Sequence, residues 1–289
     1  MEHAKEGSRQ ILAGGSAGLV EVLIMHPLDL IKTRLQIDQS NRGMADCVRS
    51  TLRDEGIRGF YKGILPPILA ETPKRATKFF TFEQYKHIFS TPGISPAITL
   101  SLAGLCSGMT EAVVVCPFET VKVRLQSMKN ANPKEVPTSM ELAREIIRAE
   151  GMGTKGIFRG LTSTVARNGT WNMVYFGLYH NVKVYIPDAK ESASLNLTYR
   201  ILLGFIAGSL ASVVNIPFDV AKSRIQGPQP IPGSRKYHGC LQSMGLVYKE
   251  EGFFALYKGL LPKIMRLGPG GAIMLVVYDE VYKYLKQFG

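Results

Sequence analysis

Acidic and basic residues recur three residues apart at three places in the chain, each time just after a proline. The segments begin at Pro27, Pro117 and Pro217 and read PLDLIKTRLQ, PFETVKVRLQ and PFDVAKSRIQ. Such side chains share one face of a helix, so they can pair within that helix or with a neighbouring copy. We expect pairs between copies, because a ring would satisfy six charges inside a bundle, where an unpaired charge is costly. The predicted pairs are Asp29 with Lys122, Glu119 with Lys222, and Asp219 with Lys32.

Other elements recur together with these segments. A Gly-x-x-x-Gly motif opens thirteen residues before each proline, and an acid followed by glycine stands downstream. An aromatic residue, a basic residue and a glycine then follow, and this last glycine is Gly63, Gly160 or Gly259. Agreement of several elements in three copies indicates tandem repeats. The repeats cover approximately residues 8–92, 97–189 and 198–289.

Each repeat predicts two long helices with a short amphipathic helix between them. The first long helix continues through its proline (Pro27, Pro117 or Pro217), which removes a backbone hydrogen bond and kinks the helix. Glycines four apart let helices approach closely in lipid. The prediction is an all-α membrane protein with six spanning helices around a pseudo-threefold axis. The short helices are predicted at Met44–Asp54, Ser139–Ala149 and Leu241–Glu250, and the second long helices at Pro66–Ile88, Leu161–Tyr185 and Pro262–Gln287.

The composition limits the alternatives. A net charge of +12 with 45% hydrophobic residues indicates an anionic partner: a small acid, a membrane surface or nucleic acid. The four cysteines form neither a disulfide framework nor a metal-binding cluster, so no metal or cofactor is expected. A helical protein that binds nucleic acid or acts as a scaffold stays an alternative, although the basic residues recur beside acids rather than in one patch. The sequence contains no P-loop or hydrolase motif, so we expect no enzyme.

Basic residues also stand at similar depth on the second long helix of each repeat. Arginine is well suited to a carboxylate, because its planar guanidinium group can hold one with two hydrogen bonds. Two such groups on different helices would suit a dicarboxylate. A lysine can instead extend to a lipid headgroup, an alternative that applies to Lys78. The candidates are Glu71, Lys74, Arg75 and Lys78 on the first of these helices, Arg167 and Asn168 on the next, and Arg266 on the last.

The proline segments and the glycine elements resemble the signature of the mitochondrial carrier family over essentially the whole chain. The resemblance implies three matrix-side helices, a central substrate site and alternating access between two salt-bridge gates, of which the ring above would be the matrix gate. It also implies a cytoplasmic gate, in which Glu83 pairs with Lys183 and Asp279 pairs with Lys86. That gate should be the weaker one, because His180 and Tyr282 replace an acid and a base of the family pattern.

Further implications of the resemblance concern ligands and location. The pair Arg167-Asn168 is similar to that of carriers of carboxylates and oxoacids, and other segments resemble members that counter-exchange 2-oxoadipate and 2-oxoglutarate. Citrate or another dicarboxylate stays an alternative, since one side chain can change which acid fits. The resemblance also implies a monomer in the mitochondrial inner membrane, with cardiolipin bound at helix N-termini near Gly63, Gly160 and Gly259.

Overall fold

The computed structural model describes residues 2–38, 43–90, 94–128, 136–183, 193–229 and 235–287. All regular structure in these ranges is helical, and three units of long, short and long helix follow one another. The predicted all-α architecture is confirmed. The helices are α1 (Glu2–Ile37), α2 (Met44–Gly59), α3 (Leu65–Phe89), α4 (Pro96–Ser127), α5 (Ser139–Glu150), α6 (Leu161–Lys183), α7 (Ala193–Gln226), α8 (Cys240–Glu251) and α9 (Leu260–Gln287), with a 3-10 helix at Phe253–Tyr257.

The six long helices form a closed ring. Helix α1 packs against α3 and α9, α4 packs against α3 and α6, and α7 packs against α6 and α9. Each short helix packs against the second half of the long helix before it through a small buried apolar cluster. These clusters include Ile31, Leu35 and Cys47 in the first repeat, Leu125 and Ile146 in the second, and Ile225 and Val247 in the third.

Within the described residues, four helical segments are both long and apolar enough to cross a membrane: Leu12–Ile37, Pro96–Ser127, Leu202–Gln226 and Phe253–Gln287. Helices α3 and α6 contain 25 and 23 residues. At 1.5 Å per residue each is roughly 35 Å long, which also exceeds a hydrocarbon core of about 30 Å. Their lower hydropathy has a clear cause, because α3 and α6 carry most of the candidate substrate residues.

The three signature prolines each lie inside a helix that continues on both sides. Pro27 lies in α1, Pro117 in α4 and Pro217 in α7. Each therefore removes one backbone hydrogen bond from the middle of a long helix. The bend that this should produce stays a prediction.

The Gly-x-x-x-Gly motifs behave differently in the three repeats. A Cβ atom at Gly108 of α4 would lie 2.6 Å from the backbone oxygen of Asn168, so α4 and α6 touch backbone to backbone. At Gly14 of α1 the same atom would meet nothing within 4 Å, and at Gly208 of α7 it would make ordinary contact with Leu267 at 3.5 Å. The prediction of close backbone approach in every repeat is therefore wrong for the first and third, where a Cβ atom would meet open space at Gly14 and side chains at Gly18 (Glu71, 3.0 Å) and Gly208.

Candidate functional site

All three ion pairs predicted between repeats are present in the structure. No side chain in them is more than 18% exposed. The pairs join α1, α4 and α7, and therefore hold the three repeats together at this level. The distances from the lysine Nζ atom to the nearest carboxylate oxygen are 2.8 Å for Lys32–Asp219, 2.9 Å for Lys122–Asp29 and 2.7 Å for Lys222–Glu119.

Arg167, the candidate substrate residue of α6, contacts this ring directly. Its Nη2 atom lies 2.7 Å from Glu119 Oε1, and its Nη1 atom lies 3.6 Å from Asp219 Oδ1. The two carboxylates belong to different helices, α4 and α7, so one guanidinium group bridges them. The buried Nε atom has no hydrogen-bond partner within the described ranges, so a substrate carboxylate has to replace one of these acids only if it binds both Nη atoms.

Arg266, on α9, is held in a similar way. Its Nη1 atom lies 2.5 Å from Asp29 Oδ1, and its Nη2 atom lies 3.2 Å from Glu21 Oε1. Glu21 also binds Arg75 of α3 at 2.9 Å, and Arg75 hydrogen-bonds Glu71 of its own helix. One chain of alternating charges therefore joins α1, α3 and α9.

The remaining candidates lie beside these charges. The Lys74 amine is 3.8 Å from Glu71. The Lys78 amine lies 5.3 Å from the centre of the Trp171 ring on α6, a cation–π contact between helices. Asn168 is buried, and its Nδ2 atom has no hydrogen-bond partner within the ranges that the structure describes. Its amide is therefore available as a donor.

The charges of the ring and of the side chains paired with it form two sets, and together they do not balance. Eight basic side chains face five carboxylates, which leaves an excess of three positive charges. An interior with this balance attracts anions. The basic members are Lys32, Lys74, Arg75, Lys122, Arg167, Lys222, Lys263 and Arg266, and the acidic members are Glu21, Asp29, Glu71, Glu119 and Asp219.

Two of these charged residues, Glu21 and Lys263, are absent from the sequence-based candidates. A signal for Glu21 existed, because Glu111 stands at the same place, six residues before the proline of its repeat. Lys263 gave no such signal. Pro67 and Thr164 occupy its place in the other two repeats, four residues after the closing glycine. A search for repeated charges therefore passes over Lys263.

Among the described residues of the predicted cytoplasmic gate, no ion pair joins two helices. Lys86 pairs with Glu83 of its own helix at 3.3 Å, and their side chains are 46% and 57% exposed. Among the described residues, Asp279 forms no ion pair with Lys86. Lys183 ends α6, and its side chain lies outside the described part of the chain. The ring at Asp29, in contrast, is fully paired.

A second layer of ion pairs joins the short helices to the ring helices. Arg34 binds Glu55 of α2 at 2.7 Å and also donates to the backbone oxygen of Gln126 on α4, at 3.1 Å. Burial alone would raise the pKa of Glu55, but hydrogen bonds from Arg34 and Lys62 hold that pKa below its usual value. The corresponding pairs are Arg124–Glu150 and Arg224–Glu251 in the other repeats.

The three glycines predicted near bound lipid share a backbone conformation that favours glycine. Their φ angles are +72°, +75° and +85° at Gly63, Gly160 and Gly259. Each also lies against the ring helix of another repeat, where a Cβ atom would meet a side chain at a tight distance. Those distances are 3.1 Å to Leu125 from Gly63, 3.1 Å to Gln226 from Gly160, and 3.2 Å to Gln36 from Gly259. Packing between repeats alone accounts for glycine here.

Known proteins resemble this chain along nearly its full length. A family model described as "Mitochondrial carrier protein" matches three times, at residues 4–93, 95–190 and 193–289. Proteins named mitochondrial 2-oxodicarboxylate carrier from Bos taurus and Homo sapiens are 58% and 57% identical over 98% of this chain and 96% of their own length. The mitochondrial citrate transporter D of Aspergillus niger is 40% identical over 96% of this chain and 94% of its own. The chain therefore belongs to the mitochondrial carrier family, and it is a multi-pass transporter of the mitochondrial inner membrane rather than an enzyme.

Proposed function

We propose that the protein exchanges 2-oxodicarboxylates, 2-oxoglutarate and 2-oxoadipate among them, across the mitochondrial inner membrane by counter-exchange. The observation that carries the proposal is the pair of guanidinium groups, Arg167 and Arg266, on different helices of a positively charged interior. Each group can hold one carboxylate with two hydrogen bonds, which suits a substrate with a carboxylate at each end. The names of the relatives from Bos taurus and Homo sapiens support the same substrate class.

Substrate binding proceeds by replacement of carboxylates. One substrate carboxylate takes the place of Glu119 at Arg167, and the other takes the place of Asp29 at Arg266. Each displaced acid then keeps only its ring lysine, so the ring is weaker when substrate is bound. This difference between the two states is what a ligand needs to shift a conformational equilibrium.

Opening of the ring is linked to closure of the opposite end. The ring pairs are closed in the structure, and within the described ranges Glu83 and Lys86 pair with each other. When the ring opens, Glu83 pairs with Lys183 and Asp279 pairs with Lys86, and the helices rock about Pro27, Pro117 and Pro217. The cytoplasmic gate then has two ion pairs and the matrix ring has three, so the cytoplasmic gate is the weaker one.

Other polar residues of the site adjust the fit of the substrate. Lys74, Arg75 and Lys78 line the approach from α3 and attract the dianion. Glu71 holds Arg75 in place. The free Nδ2 donor of Asn168 binds the 2-oxo group and thereby favours 2-oxo acids over plain dicarboxylates.

The surroundings of the protein follow from the same architecture. Cardiolipin binds at the matrix side near Gly63, Gly160 and Gly259, where a helix N-terminus can hold phosphate. Helix α2 suits this role, since its N-cap residue Gly43 makes no side-chain capping bond. The protein works as a monomer, because all three pairs of the ring belong to one chain.

A tricarboxylate is the second candidate substrate. The excess of three positive charges matches citrate in number, and one relative carries citrate transporter in its name. In the exchange of citrate, Lys263 or Lys78 would hold the third carboxylate. The two candidates differ in which internal anion drives uptake.

The test is uptake of labelled 2-oxoglutarate by liposomes that contain the purified protein. The liposomes are preloaded with 2-oxoglutarate, 2-oxoadipate, glutarate, citrate, ADP or buffer alone. The proposal expects rapid uptake against the two 2-oxo acids, slower uptake against glutarate, and little against ADP or buffer. Uptake driven best by citrate would favour the second candidate, and uptake driven by ADP would contradict both.

A further inference from the structure

We infer that Lys263 is a positioning residue that keeps Asp219 neutralised while the matrix ring opens; the inference rests on the proposed function. The Lys263 amine lies 2.7 Å from Asp219 Oδ2, and the Lys32 amine lies 2.8 Å from the same oxygen. Lys32 belongs to α1 of the first repeat. Lys263 belongs to α9, in the same repeat as Asp219. Of the two amines on Asp219 Oδ2, one therefore leaves when the repeats separate and one stays, while Arg167 lies farther away, at 3.6 Å from Oδ1.

The position of the Lys263 amine is fixed by a buried amide. Asn215 lies four residues before Asp219 on α7 and is 2% exposed. When the amide is oriented so that each of its atoms meets a complementary group, its oxygen accepts a hydrogen bond from Lys263 Nζ at 3.1 Å and its nitrogen donates to the backbone oxygen of Arg167 at 3.0 Å. Lys263, Asn215 and Asp219 all belong to the third repeat, so the contact between Lys263 and Asp219 needs no residue of α1.

Asp219 has the greatest need of such a partner. Its side chain is 2% exposed, whereas the side chains of Asp29 and Glu119 are 15% exposed. A buried carboxylate without a cation is strongly destabilising, because water cannot solvate its charge. Removal of Lys32 from Asp219 during opening is thus tolerable only if another cation remains.

Removal of Lys263 destabilises the open-ring state more than the closed-ring state. With the ring closed, Asp219 keeps Lys32 and the more distant Arg167. With the ring open, Asp219 would have neither Lys32 nor Lys263. Loss of Lys263 should therefore disfavour the open ring and slow exchange. A residue that only locked the ring would behave in the opposite way, because its loss would make the ring leak.

The test compares Lys263→Met with Lys283→Met, which removes an exposed lysine from the same helix. In liposomes, Lys263→Met should lower the maximal rate of 2-oxoglutarate exchange about tenfold, with little change in KM, because the open ring then holds an unpaired carboxylate. Lys263→Arg and the control should exchange at nearly the wild-type rate. Unfolding temperatures in detergent establish which variants are folded, and Lys263→Gln replaces Lys263→Met if that variant is not.

The decisive variant adds Asp219→Asn to Lys263→Met. Once Asp219 carries no charge, loss of Lys263 should no longer slow exchange relative to Asp219→Asn alone. The inference is overturned if Lys263→Met exchanges at the wild-type rate, if it instead raises efflux into substrate-free buffer, or if the tenfold loss persists beside Asp219→Asn. Failure of the wild-type protein to exchange any 2-oxo acid would refute the proposed function instead.

Discussion

Replacement of Arg167 by alanine should stop exchange and leave a folded protein. Arg167 is 17% exposed, and its guanidinium group binds Glu119 at 2.7 Å and reaches Asp219 at 3.6 Å. In the proposed cycle the same group passes from these acids to the substrate. Loss of one partner from a buried, hydrogen-bonded charge pair costs about 2–5 kcal/mol. At 1.36 kcal/mol for each factor of ten, exchange should fall about 30-fold to 5000-fold.

The ring should survive this change, since Glu119 keeps Lys222 and Asp219 keeps Lys32 and Lys263. Arg167→Ala should therefore insert in the membrane and unfold cooperatively in detergent.

The assay is the initial rate of 2-oxoglutarate exchange in liposomes, with Arg144→Ala as the control because it removes an exposed arginine from α5. Arg167→Lys separates charge from geometry: it keeps the charge but cannot bridge two carboxylates. The exchange rate of Arg167→Lys should lie between those of Arg167→Ala and the wild-type protein. Exchange by Arg167→Ala at the control rate would refute the assignment of Arg167 to the substrate.

Three further predictions concern the gates and the packing. Asp29→Asn should raise efflux of 2-oxoglutarate into empty buffer about tenfold, because one joint of the matrix ring is lost; unchanged efflux would show that the ring is not a gate. His180→Glu combined with Tyr282→Lys should complete the cytoplasmic gate and slow exchange, and faster exchange would contradict its proposed weakness. Gly108→Ala should lower the unfolding temperature by several degrees, since the new Cβ atom would lie 2.6 Å from a backbone oxygen. Gly14→Ala is its control, because the space there is open, and equal effects of the two would count against the packing described.

The ring could be predicted from sequence because the repeats constrain it. Asp29, Glu119 and Asp219 occupy the same place in three copies, and so do their lysines. Once a threefold arrangement is accepted, only pairing within a helix or with the next copy remains. The high cost of unpaired charge inside a membrane bundle decides between these two.

The partners of Arg167 and Arg266 could not be predicted in the same way. The sequence indicates how deep they lie along α6 and α9. Their contacts with Glu119 and Asp29, however, depend on how far the guanidinium groups reach across the bundle. Lys263 lies outside the repeat pattern altogether, so only its observed position reveals its role. The glycine motifs show that a repeated spacing can also mislead. The same spacing occurs in all three repeats, but it brings two backbones together only in the second.

The central claim is that substrate and gate carboxylates compete for the same arginines. It is tested most directly by the affinity of the purified protein for 2-oxoglutarate, measured by calorimetry for wild type and Glu119→Gln. Because Arg167 loses the acid at 2.7 Å, the variant should bind 2-oxoglutarate about tenfold more tightly. Glu111→Gln controls for charge alone, since it removes another buried acid from α4. Equal affinities of wild type and Glu119→Gln, or an equal gain in both variants, would contradict competition at Arg167.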